Sequence, residues 1–137
     1  MKRAHGKHNK DICDKLYLQD ELECNDWVIT TAFYSSIHYL DHILFPYLHT
    51  DGCVFNDINE AHKIIKAKNK HETRGILVQR KVPSLGGHYV FLKEECYNAR
   101  YSNYQVNEAF SNRAVRNLEK IICESDKMFE TAEKAKK

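Results

Sequence analysis

Proline and glycine are scarce in this chain, with two and five among 137 residues. Strand-rich domains with many tight turns draw on both, so the shortage argues against an all-β fold. Long apolar runs are missing as well. The longest apolar-looking stretch, Trp27 to Leu48, is interrupted by His38, Asp41 and His42. It therefore reads as a buried amphipathic helix, and no membrane span or membrane partner is expected. Residues 1–30 carry charges throughout and lack the apolar segment followed by small residues that a secretory signal needs, so export is not expected. The five cysteines, Cys13, Cys24, Cys53, Cys96 and Cys123, are scattered and form no CxxC pair. They read as reduced thiols of a cytoplasmic protein, without zinc or a redox motif. The chain also lacks a glycine-rich phosphate loop and a serine nucleophile elbow, which leaves P-loop, kinase and α/β-hydrolase readings without support. The net charge of +2 supplies no general pull on polyanions, so the placement of charge matters more than its sum.

What is present is helical in composition. Hydrophobic residues make up 42% and charged residues 29%, a balance that supports a folded core. The length suits one domain around one core, and the expected architecture is an all-α bundle of four or five helices, with a core over about residues 9–130 and frayed ends. A first helix with an acidic face is expected within residues 11–26, where Ile12, Leu16 and Tyr17 recur at helical spacing. Asn25 and Asp26 then offer a cap for the strongest helix of the chain, WVITTAFYSSIHYLDHILF, stopped near Pro46. Ile29, Phe33, Ile37, Leu40 and Leu44 form its ordinary core stripe. Trp27, Tyr34, His38 and Phe45 form a second, leaving a narrow polar edge near Ser35 and His42. Such a helix is either central in its bundle or packed against a second chain.

Asp57 and Glu60 have the spacing of a capping box, opening a helix of Ile58, Ala61, Ile64 and Ile65. Residues 71–81 are helical in composition but contain Gly75, which costs about 1 kcal/mol relative to alanine, so a distinct short helix or a kink is expected. Pro83, Gly86 and Gly87 mark a loop before HYVFLKEECYNARY, a helix ending near Tyr101. Asn107 caps the last helix, whose Phe110, Ala114, Leu118, Ile121, Ser125, Met128 and Ala132 lie on one stripe. Beyond Glu130 fraying is expected.

The most asymmetric charge lies between Lys63 and Lys81, where Lys63, Lys66, Lys68, Lys70, Arg74, Arg80 and Lys81 are opposed by Glu72 alone. Such a strip attracts phosphate through counterion release, although charge runs also serve simply as solvated faces. Within it, His71 and Arg74 stand three apart on one side of a helical turn. An imidazole there can take a proton from a hydroxyl, and a guanidinium can hold a phosphate, or both can face solvent. His38 lies on the second stripe of the central helix, where it is either a hydrogen-bonded core histidine or part of a base-stacking pocket. His38 and His42 have ligand spacing but no recognisable third ligand, so no metal and no other cofactor is expected. Arg100 either satisfies the carbonyls at a helix end or turns toward a phosphate.

Taken together, DWVITTAFYSSIHYLDHIL, the downstream HETR, and ARY before a long amphipathic helix resemble the HEPN superfamily, the higher-eukaryote and prokaryote nucleotide-binding domains. The likeness is to prokaryotic stand-alone members with a DWxxxxAFYxxxHYxxxxL helix and an HExR motif, and it covers about residues 26–122. The resemblance implies a four- to five-helix bundle, often a homodimer with its cleft between protomers. It further implies a role in toxin–antitoxin, abortive-infection or related defence systems, and a partner protein from the same operon. By matched position it implies a site of His38, His71, Arg74 and Arg100, with Lys66, Lys68, Lys70, Tyr34 and Tyr101 contacting RNA or a nucleotide. The active nucleases of the family carry an arginine followed four to six residues later by histidine. In this chain His88 lies beyond that spacing from both Arg74 and Arg80, and no histidine follows Arg100. Three functions therefore stand open: an RNA- or nucleotide-binding domain, a metal-independent endoribonuclease with a rearranged His/Arg site, and a non-catalytic interaction module.

Overall fold

The computed structural model describes residues 2–18, 24–103 and 105–135, and they form an all-α bundle. Six α-helices occur among them: α1 (Lys2–Tyr17), α2 (Asn25–Leu44), α3 (Ile58–Ile65), α4 (Lys70–Lys81), α5 (Gly86–Tyr97) and α6 (Glu108–Ala135). The helix α2 is the centre of the bundle, with α1 and α6 packed along it and α5 against both α2 and α6. Of its 20 residues 13 are buried, including the whole expected stripe of Ile29, Phe33, Ile37, Leu40 and Leu44. Removing each such side chain from water contributes about 1.5–3 kcal/mol, which makes this helix the main source of cohesion. Within the second stripe Phe45 is buried and His38 half-buried, but Trp27 and Tyr34 are exposed.

The expected first helix begins nine residues earlier than its apolar spacing indicates. Cys13 is buried against α2, and near the start of α1 the approach is close at Gly6. Ser35 donates to the Gly6 carbonyl at 2.7 Å, and a Cβ at Gly6 would lie 2.7 Å from the Tyr39 ring. Ser35 is thus fully buried under α1 and forms no polar edge. Asn25 and Asp26 are also not caps, because the helix starts at Asn25 after Cys24 and has no side-chain cap bond. Asn25 instead donates to the Val106 carbonyl at 3.2 Å and accepts from Ser111 at 3.0 Å, which ties α2 to the start of α6.

Between α2 and α3 the chain makes a small antiparallel hairpin, β1 (Tyr47–Leu48) with β2 (Val54–Phe55), that hydrophobic periodicity does not announce. Asp57 caps α3 by accepting from the Glu60 amide at 2.9 Å, while Glu60 reaches back to the Asn56 amide at 2.6 Å, one residue beyond the expected box partner. Lys66 ends α3 in the left-handed region at φ 55, and Asn69 caps α4 through the Glu72 amide at 2.9 Å. The helix α4 runs unbroken through Gly75, over which the Tyr89 ring lies, with 3.4 Å between its edge and the position a Cβ would take. The expected loop at Pro83–Gly87 is itself helical, a 3-10 turn over Pro83–Leu85 leading directly into α5. A π-helical turn, Asn98–Ser102, closes α5. Asn107 caps α6 as expected, accepting from the Phe110 amide at 3.2 Å. On α6 the stripe is buried from Ala114 to Ser125 but Ala132 is exposed, and the helix continues past Glu130 to Ala135. Among the described residues, no helix is long and apolar enough to cross a membrane.

Candidate functional site

Two arginines from the sequence motifs meet opposite fates. Arg74 projects from α4 into the bundle and is 4% exposed. Its Nε donates to Asp41 Oδ1 at 2.7 Å and its Nη2 to Oδ2 at 3.1 Å, a two-pronged pair in which the planar fork matches the carboxylate. Burial works against the guanidinium charge, but the hydrogen bonds and charge of Asp41 outweigh it and hold Arg74 above its ordinary value. Tyr89 on α5 closes the network by donating to the His71 carbonyl at 2.8 Å, and its burial pushes the phenol up to about 12. This cluster joins α2, α4 and α5.

His71 stands at the boundary between that network and solvent. Its ring meets Phe33 edge-on at 5.1 Å, and its Nδ1 faces Arg74 Nη1 at 3.4 Å. Burial, then the charges of Arg74 and Lys93, lower its pKa, so the ring is neutral at neutral pH. A guanidinium N–H aimed at Nδ1 favours the tautomer with the proton on Nε2, which makes the remaining nitrogen a donor.

Outside this boundary lies a cleft of about 640 Å³. Phe33 and Tyr34 of α2 form one wall, Lys68 and Asn69 of the α3–α4 connection one rim, and His71 and Glu72 the floor near α4. Lys93, Glu94, Tyr97, Arg100 and Tyr101, from α5 and its π-helical turn, line the other side. Lys93 pairs with Glu72 at 2.6 Å. The Tyr97 and Tyr101 rings lie 5.1 Å apart at a tilt of 48°, and the Arg100 guanidinium carbon sits 5.4 Å from the centre of the Trp27 ring. Three cations face two carboxylates here, so charge attraction is modest and the aromatic faces carry more of the cleft's character.

Of the residues singled out by sequence, His71, Arg100, Tyr34, Lys68 and Tyr101 line this cleft together. Arg74, His38, Lys66 and Lys70 do not. Arg74 lies behind the floor with its guanidinium committed to Asp41. His38 lies at the α1–α2 interface, its ring 5.3 Å from that of His5, and burial followed by His5 lowers its pKa. Lys66, at the end of α3, and Lys70, at the start of α4, are exposed. No family model, curated protein or solved structure matches the chain. Lys93 and Tyr97 escaped notice in the sequence, although Lys93, Tyr97 and Tyr101 recur every four residues and so share a helix face. Among the described residues, no three His, Cys, Asp or Glu side chains are grouped so as to hold a metal ion.

Proposed function

We propose that the chain is an RNA- or nucleotide-binding domain of the HEPN type, acting in a toxin–antitoxin, abortive-infection or related defence system, and that its ligand occupies the cleft between α2, α4 and α5. The observation that carries this reading is the mixture lining the cleft: tyrosine faces for a base, and Lys68 and Arg100 for phosphate, with Lys93 held by Glu72. The volume lies within the range of small-ligand sites. The HEPN resemblance supplies the biological class.

Binding is favoured over cleavage by the state of the two motif residues. A ribonuclease needs a base and a cation converging on one phosphate. Arg74 is held away by Asp41, and His71 Nδ1 faces the Arg74 guanidinium at 3.4 Å. Titration of single-stranded RNA followed by Trp27 fluorescence tests the reading, since Trp27 is the single tryptophan and lies against Arg100. Saturable binding is expected, weakened by salt with a slope of about −0.7 per phosphate contact and by Lys68→Ala or Arg100→Ala. Absence of binding at low salt removes the reading and leaves the interaction module. RNA cut to 2′,3′-cyclic ends in EDTA, with cutting lost in His71→Ala, replaces it with the endoribonuclease.

A further inference from the structure

We infer that Trp27 is a second base platform adjoining the cleft, so that the ligand is a single-stranded oligonucleotide of several residues and not a mononucleotide; this rests on the nucleotide reading above. Trp27 is the first aromatic of α2 and is 51% exposed, although an indole is among the most favourable groups to bury. It is not part of the cleft lining, but Arg100 is, and the Arg100 guanidinium lies over the Trp27 ring. The platform therefore begins one guanidinium beyond the cleft wall. Tyr97 and Tyr101, at 63% and 73% exposed, flank Arg100 in sequence and line the cleft side. The resulting order is a tyrosine pair, a cation, then an indole.

That order fits a polynucleotide better than a protein partner. Aromatic rings and arginine are common to both kinds of interface, but lysine is depleted between proteins, whereas here Lys68 and Lys93 line the cleft with the tyrosines and the exposed Lys66 and Lys70 flank Lys68 in sequence. Single-strand sites combine a cation for each backbone phosphate with a ring face for each base. A planar guanidinium held over an indole also presents its outer face for stacking. A mononucleotide engages the cleft alone. A longer strand places a following base at Arg100 and Trp27, with the exposed Lys66 and Lys70, close in sequence to the lining residues Lys68 and Asn69, available to further phosphates.

The test compares uridine monophosphate with oligouridylates of two, four and eight nucleotides, and with an octamer of deoxyuridylate, by calorimetry and by anisotropy of end-labelled strands. Affinity is expected to rise from the monophosphate to the four-residue strand. Trp27→Ala should weaken the four-residue strand about tenfold, within the range of one base–aromatic stack, leave the monophosphate unchanged, and be largely reversed in Trp27→Phe. Parity of the ribo- and deoxy-octamers assigns a single strand of either sugar, and preference for the ribo-octamer assigns RNA; both support the platform. Affinity independent of length, or equal losses for monophosphate and oligomer in Trp27→Ala, overturns the platform and spares the nucleotide-binding reading. If no probe binds and Trp27→Ala instead lowers the sedimentation coefficient, both fall and the aromatic surface is a self-association face.

Discussion

Arg74 and Arg100 carry the same guanidinium, each from a motif that suggests phosphate contact, yet one is sealed in the bundle and the other stands at a cleft mouth. The difference lies in what each helix face meets. Arg74 falls on the side of α4 that packs toward α2, where Asp41 is the nearest carboxylate and both groups are buried. A charge there is tolerated only because the pair is complete. Arg100 falls in the π-helical turn after α5, where the packed helices give way to solvent and a ring face of Trp27 is its partner. Position in the bundle, rather than residue type, separates a structural cation from one available to a ligand.

Truncating each arginine in turn should separate their roles most strongly. Arg74→Ala leaves Asp41 buried and unpaired and should cost roughly 3–5 kcal/mol in urea unfolding, whereas Arg100→Ala should stay within about 0.5 kcal/mol of the parent. Equal costs, or an Arg74→Ala protein of parent stability, would reverse the assignment of roles. Next in size is the contact that holds α1 on α2. Gly6→Ala forces a Cβ to within 2.7 Å of the Tyr39 ring and should cost about 1–3 kcal/mol; an unchanged midpoint would mean that the ring gives way freely.

A third experiment sets the buried network against pH. His38, His42 and His71 all have lowered pKa values, burial being the largest cause in each, followed by His5, Arg3 and Arg74 respectively. A base whose folded pKa lies below its unfolded value binds protons less readily when folded. Its contribution is therefore present above the unfolded value of about 6.5 and lost as the pH falls below it. Denaturation midpoints should drop between pH 7.5 and pH 5, and a triple His→Gln variant should flatten the profile. A midpoint that holds or rises on acidification would contradict the burial of these rings. The smallest effect is expected at Lys66, a residue with a side chain in the left-handed region at the end of α3. Lys66→Gly should stabilise by about 1 kcal/mol, and a loss would show that the lysine makes a contact that outweighs its backbone strain.

Much of the helical arrangement was legible residue by residue. The buried stripe of α2, the Asp57 cap and the Asn107 cap follow from local spacing, because caps and periodicity are properties of a few neighbouring residues. The start of α1 was not legible. Its packing rests on Gly6 and a backbone carbonyl, and neither adds apolar periodicity. Asn25 has the chemistry of a cap but finds its partners in Val106 and Ser111, far away in sequence. In the candidate site, the types of His71, Tyr34, Lys68, Arg100 and Tyr101 were readable, whereas the withdrawal of Arg74 to Asp41 and of His38 to the α1–α2 interface was not.

Local order was enough to specify an all-α bundle around α2, since helix periodicity and the shortage of turn residues are properties of neighbouring residues. Which cations are sealed against carboxylates and which stay open to a cleft was set by packing, because burial and pairing depend on residues such as Asp41 and Arg74 that are distant along the chain and adjacent in space.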